Sequence, residues 1–246
     1  MRRILLIAAA SLLLIAAAAI LAPASLVDLL VSRATHGNAA LAGAEGTLWH
    51  GRATLVANGA RLPIGWIAEP WPLLHGRVRI HLEPPEGAVG APRGLIEVGG
   101  DEVVLADAQI TFPAAMLGTN PRAFIRPAGE ITLTSQALAW QPPSASGNAA
   151  LTWRNAQLVI GGAALALGTV SATLSASGES MSGPIVNDGG EVEVGGNVTL
   201  TAPAGIDVAL TVRPRAGTPS LLLQALSAIA TPDNGGWRLR WRGSLR

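Results

Sequence analysis

The sequence predicts an all-β protein: an antiparallel meander, open sandwich or half-barrel built from two similar halves, preceded by one N-terminal transmembrane helix. Three observations predict it. Apolar and polar residues alternate with period two in stretch after stretch beyond residue 45, as half-buried strands require. Glycine-rich turn signals separate those stretches at short intervals. The chain also opens on a long uncharged run directly behind Met1-Arg2-Arg3.

That opening run sets the compartment. No charge occurs between Ile4 and Asp28. Its core, residues 4–21, is about 18 residues of Ile, Leu and Ala with one Ser, which at roughly 1.5 Å per residue just crosses a hydrocarbon layer. The anchor side chains are Ile4, Leu5, Leu6, Ile7, Leu12, Leu13, Leu14, Ile15, Ile20 and Leu21. Arg2 and Arg3 favour the cytoplasmic side, so the bulk of the chain is expected in the periplasm, behind a single pass of the inner membrane. A cleaved signal peptide is the rival, because Ala22-Pro23-Ala24 has the small-x-small form of a cleavage site. Against it, the run exceeds the usual apolar length of about 7–15 residues, and a proline stands at the centre of the site.

The expected organisation is an anchor over residues 1–27 and a juxtamembrane connector over 28–44, continuing the anchor helix for a turn or two. A periplasmic β domain over 45–246 follows, with halves near 45–125 and 126–246. The clearest alternation is at residues 75–83, where Val78, Ile80 and Leu82 interleave with Arg77, Arg79 and His81. Further strands are expected at 130–134, 191–194, 197–201 and 207–213. Turns are expected at Asn58-Gly59, Gly99-Gly100, Gly161-Gly162, Asp188-Gly189-Gly190, Gly195-Gly196 and Asn234-Gly235-Gly236. Residues 113–117 suit one helical turn, and 219–229 place Leu221, Leu222, Leu226 and Ile229 on a helical face. The two halves are suggested by a weak internal likeness. Gly94-Leu-Ile-Glu-Val-Gly-Gly resembles Gly190-Glu-Val-Glu-Val-Gly-Gly, and Trp49-His50-Gly51-Arg52-Ala53 resembles Trp153-Arg154-Asn155-Ala156.

Composition narrows function mainly by exclusion. The chain has 246 residues, a net charge of +1 and no Cys, which removes thiol chemistry, disulfides and cysteine metal sites. Its four His stand at 36, 50, 75 and 81. His75 and His81, six positions apart on one extended strand, would lie roughly 20 Å from each other. No G-x-S-x-G elbow, phosphate loop or H-E-x-x-H spacing occurs. The carboxylate pairs Asp101-Glu102 and Glu191/Glu193 fit a turn and a solvent face. No enzyme activity, metal or cofactor is therefore expected, and export removes nucleic acid as a partner.

What remains distinctive is aromatic and basic. Trp66 and Trp71 bracket Glu69-Pro70. The closing strand sets Trp237 and Trp241 on one face and Arg238, Arg240 and Arg242 on the other. Core packing explains most tryptophans, but Trp and Arg together also suit an interface. Residues 237, 238, 240, 241 and 242 are thus the candidate interaction strand, a basic edge that repels unwanted strand pairing or accepts an acidic partner.

In order along the chain, several phrases resemble protein N of the type II (general) secretion pathway. These are the Met-Arg start with a single span, Ala44-Glu45-Gly46-Thr47-Leu48-Trp49-His50-Gly51-Arg52-Ala53, and Trp71-Pro72-Leu73-Leu74-His75-Gly76. Later come Gly147 with Trp153, and the closing Gly235-Gly236-Trp237-x-Leu239-x-x-x-Gly243. The resemblance implies an accessory inner-membrane subunit of the machine that moves folded proteins out of the periplasm. Its implied partners are other inner-membrane components, pseudopilins or the secretin. It brings no catalytic or ligand residues. The competing reading is a membrane-anchored carrier of lipid or glycolipid, holding acyl chains along an apolar face of a curved sheet.

Overall fold

A computed structural model of the full chain describes residues 21–88, 90–117, 125–160, 163–201, 205–216, 218 and 230–244. Of the predicted anchor, residues 4–20 lie outside the described residues, as do the predicted helix at 219–229 and the Gly161-Gly162 turn. Among the described residues no helix is long and apolar enough to cross a membrane.

The described chain is one helix, α1 (Ser25–Ala34), two 3₁₀ turns (Trp71–His75 and Ala114–Leu117) and fourteen strands. The strands are β1 (Ala39–Gly46), β2 (His50–Ala57), β3 (Ala60–Glu69), β4 (Arg77–Glu83), β5 (Arg93–Gly99), β6 (Glu102–Pro113) and β7 (Ile125–Gln141). They continue with β8 (Ser144–Ile160), β9 (Ala163–Ser177), β10 (Ser180–Asp188), β11 (Val192–Thr201), β12 (Gly205–Pro214), β13 (Thr231–Asp233) and β14 (Gly236–Ser244). All pair antiparallel in a single open sheet of order β1 to β12, then β14, then β13. The expected meander is therefore present. The sandwich alternative is not, because all fourteen described strands pair into one sheet and none of them starts a second.

Turn chemistry explains the hairpins. Asn58-Gly59 and Asn234-Gly235 form two-residue turns with positive φ at both positions, matching the twist of the strands they join. Two sequence expectations are corrected. Gly195-Gly196 is no turn. It lies inside β11, which pairs without interruption from Val192 opposite Pro214 to Thr201 opposite Gly205. A Cβ on Gly196 would collide with the Ala209 carbonyl oxygen, so this glycine serves the close approach of β12 rather than chain reversal. The stretches that read as copies consequently differ. After Val98 the chain turns at Gly100, whereas after Val194 it runs straight on. Likewise the strand predicted over 75–83 starts only at Arg77, because His75 closes a 3₁₀ turn ended by Gly76 in the left-handed region.

One face of the sheet is apolar throughout, and bulges keep it so. On β9, Leu165 and Leu167 are buried, then Val170, Ala172 and Leu174, a switch from odd to even positions at Gly168 with φ 76°. On β8 the burial moves from Ala149 to Ala156 and Ile160 across Asn155, whose φ is 47°. Register shifts mark both strands there. Without the extra residue, half of each strand would turn its apolar set to solvent. The largest core gathers Ala156, Ile160, Leu165, Leu167, Val170, Val192, Val194 and Val212, with Trp153 and Trp237 packed against it. Strands β8, β9, β11 and β12 all contribute, so the sheet folds over its own face. That is how a single layer of strands buries a core.

The stretch expected as a connector is part of this body. α1 packs Val27 and Val31 against Leu41, Ala53 and Trp66, and β1 starts at Ala39, ahead of the boundary expected at 45. Ahead of α1, Pro23 bridges Thr47 and the Ala24 N–H donates to Gly46 O at 3.2 Å. Ala24 is 1% exposed.

Candidate functional site

A sheet that does not close has two edges with unpaired backbone groups, and these edges decide what it can bind. The two edges here are treated differently. At β1 the helix supplies partners. Asp28 Oδ1 accepts the Leu41 N–H at 2.7 Å, and Thr35 Oγ1 accepts the Ala39 N–H at 3.1 Å. With Ala24 bonded to Gly46, chain from residues 24–35 bonds the first edge at Ala39, Leu41 and Gly46.

The other edge is β14. On its inner side it pairs fully with β12, from Gly205 opposite Ser244 to Val212 opposite Trp237. On its outer side β13 covers only Gly236, Trp237 and Arg238. The two-residue turn makes Asp233 and Gly236 a hydrogen-bonded pair, so residues 236, 238, 240 and 242 aim their N–H and C=O groups outward. Beyond Arg238, no strand among the described residues pairs with that side.

The side chains of β14 sort as the sequence predicts, but their charges are not free. Trp237 is half-buried against the main core, while Trp241, on the same face, is 50% exposed. On the opposite face Arg238 reaches Asp233 at 2.7 Å, and Asp207 accepts from both Arg242 Nε at 2.7 Å and Arg240 Nη2 at 3.3 Å. The expected basic edge is therefore partly matched, three guanidinium groups against two carboxylates, and an acidic partner would have to compete with Asp207 and Asp233. The two guanidinium groups, Arg242 first, hold the Asp207 carboxyl below its ordinary value.

A second charged row crosses β3 to β6 on the same polar face. Glu97 accepts from Arg77 at 2.8 Å and Arg79 at 2.9 Å, Arg79 also reaches Glu69 at 3.3 Å, and His81 Nε2 lies 2.7 Å from Glu69 Oε1. Hydrogen bonds from Arg77 and Arg79 lower the Glu97 pKa, and the contacts with His81 and then Arg79 lower that of Glu69. Lowered carboxyl values set the sign of a pH effect. These groups add stability at pH values above their unfolded-state pKa, and that contribution disappears as pH falls through the folded-state values. Urea midpoints are expected to be flat at and above neutrality and to drop on acidification below the ordinary carboxylate range. Glu97→Gln should reduce the drop.

The remaining sequence candidates do not assemble. His36, His50 and His75 sit in a turn after α1, at the start of β2 and in a 3₁₀ turn, and no group of three metal-binding side chains occurs among the described residues. Asp101-Glu102 lies at the β5–β6 turn. Glu191 accepts the Ala166 N–H at 3.0 Å, a structural bond, while Glu193 points to solvent. Asp28 and Thr35, which blunt the first edge, carry no sequence signal beyond their positions in and just after a short helix. Of the anchor residues, only Leu21 is described, and it is exposed.

These features define a class: an all-β protein built as one long antiparallel sheet, with one edge blunted by a helix and the other, among the described residues, left unpaired beyond Arg238. The family is specific. The family model for protein N of the type II secretion system matches residues 37–240, nearly the whole sheet, and the chain belongs to that family. No curated protein and no solved structure matches it.

Proposed function

We propose that the protein is an accessory inner-membrane subunit of the type II secretion machinery, held by residues 1–27 with its N-terminus in the cytoplasm and its β domain in the periplasm. It acts by contact and carries no catalysis of its own. Its partners are other subunits: inner-membrane components, pseudopilins or the secretin. The observation that carries this reading is the asymmetry of the edges. A sheet that caps β1 with its own helix and, among the described residues, leaves the outer side of β14 unpaired beyond Arg238 offers a place for strand addition, where backbone pairing supplies affinity without special side chains. Trp241 beside that edge supplies an apolar anchor.

The Ala22-Pro23-Ala24 segment supports a retained anchor. A peptidase site must be extended and accessible, whereas here Ala22 and Ala24 are buried and Pro23, itself exposed, is bridged to Thr47. The lipid-carrier reading draws less support. Two grooves, of about 670 Å³ and 510 Å³, are lined in part by charged and polar side chains, Arg93, Asp107 and Gln109 in the first and Glu45, His50 and Arg52 in the second, where an acyl slot would be apolar.

Replacing residues 1–20 with a cleavable export signal tests the anchor. The soluble domain is expected to fold, with an unchanged circular dichroism melt, and to lose recovery with the inner-membrane complex. Undiminished secretion and complex recovery would remove anchoring from the mechanism.

A further inference from the structure

The end of the sheet at which residue 21 enters the fold carries an apolar feature that the β14 edge does not use. Leu48 N–H donates to Ala22 O at 2.8 Å, and Ala68 N–H donates to Trp49 O at 2.6 Å. These bonds run sideways from the entry point, through the β1–β2 turn, to the end of β3. There the chain makes the 3₁₀ turn Trp71–His75 before returning in β4. Entry point and turn therefore share one end of the sheet, separated by roughly three strand spacings of about 4.8 Å.

That turn is Trp-Pro-Leu-Leu-His, with no carboxylate and three large apolar side chains in five residues. Trp71 is 75% and Leu74 76% exposed, and Leu73 is exposed beside them. Leu26, in the first turn of α1 at the same end, is also exposed. Scattered apolar residues are ordinary on a soluble surface; a contiguous projecting group headed by Trp marks a contact. The position of the entry point selects the occupant. Leu21 is 73% exposed, and Ala22 is already bonded into the sheet, so no linker separates residues 4–20 from the β domain.

We propose that the Trp71–His75 turn seats in the interfacial layer of the bilayer that holds residues 4–20, with Trp71 and Leu74 among the headgroups and upper acyl chains and His75 at the level of the phosphates. It rests on the anchored reading above. An indole favours that layer because its ring is apolar and its N–H stays wet. The anchor and the turn then form two contacts with one membrane and fix how the sheet stands on it, which neither contact does alone.

The chain has no Cys, so single labels are clean. Full-length protein carrying Leu74→Cys, labelled with an environment-sensitive fluorophore, is reconstituted into vesicles of phosphatidylethanolamine and phosphatidylglycerol. Val186→Cys, exposed near the other end of β10, is the control, and Ile15→Cys reports the anchor. The account expects blue-shifted emission at position 74 and quenching by lipids brominated near the headgroup, with neither at 186. A nitroxide at 74 should likewise prefer oxygen over an aqueous nickel chelate, which excludes the dye as the driving force. Quenching at 15 with position 74 behaving like 186 would overturn the inference and leave the anchor standing. No quenching at 15 would remove the anchored reading, and this one with it. Shielding of 74 from iodide without quenching by brominated lipid would place protein over the turn and also overturn the inference.

Discussion

Leu165→Ala is expected to lower the stability of the β domain by roughly 2–5 kcal/mol, the range for truncating a buried leucine. Leu165 is 1% exposed at the centre of the largest core, between Ala156 and Ile160 of β8 and Val192 of β11. The cost is expected toward the upper end for a structural reason. An ordinary β-sandwich relaxes by moving two sheets together, whereas here the walls of the cavity belong to one hydrogen-bonded sheet. Strands β8, β9 and β11 cannot close around a void without breaking ladder bonds or shifting the bulge at Gly168. Against a total stability of about 5–15 kcal/mol the loss is a large fraction. In a domain of this size it corresponds to a fall in melting temperature on the order of 5–15 °C. Leu74→Ala is the contrast. The same deletion of atoms at a side chain 76% exposed should stay within about 0.5 kcal/mol in detergent-free soluble protein. Chemical denaturation of the two variants side by side checks both. Equal effects would mean that the apolar face of the sheet is not its core.

Arg240→Pro should abolish partner recovery while leaving the domain folded. Arg240 sits opposite Ala209 in β14, and its N–H points away from β12, so proline removes a donor that the sheet itself does not use. The ring also blocks a strand approaching from that side. The guanidinium lost with the substitution gives up one contact to Asp207, but Arg242 retains the shorter one. A pair of exposed ions contributes little to stability. Arg240→Ala separates the two causes: it removes the charge and keeps the backbone donor. Recovery of the complex with alanine and its loss with proline is the expected pattern. Loss with both would assign the contact to the side chain and not to strand addition.

Much of this architecture could be read from residues because the relevant signals are local. Asn58-Gly59 and Asn234-Gly235 specify their turns by backbone preference alone, and the alternation over residues 207–213 fixes which side of β12 is buried. The failures share one cause, dependence on the strand next door. Gly99-Gly100 and Gly195-Gly196 are the same dipeptide with the same preceding Val, and the second pair is part of a strand because β12 pairs alongside it from Val192 to Thr201. The parity switches at Asn155 and Gly168 are invisible in sequence, since a bulge is a count of residues against a partner. The candidate interaction strand was legible in its composition but not in its charge state. Nothing near Arg242 announces that Asp207, on β12, pairs with it. The covered edge was harder still, because Asp28 looks like a routine first-turn acid until β1 folds back beside it.

In the proposed mechanism this member of the protein N family meets its partner along the outer side of β14, which no described strand pairs beyond Arg238. A photoreactive amino acid placed at position 240 or 242 in the full chain, expressed in cells with the rest of the secretion machinery and crosslinked in place, measures it most directly. The account predicts a discrete adduct with one subunit of that machinery, absent when the probe stands at Ala40 on the helix-covered edge. Adducts of equal yield from both edges, or capture from position 40 alone, would contradict it.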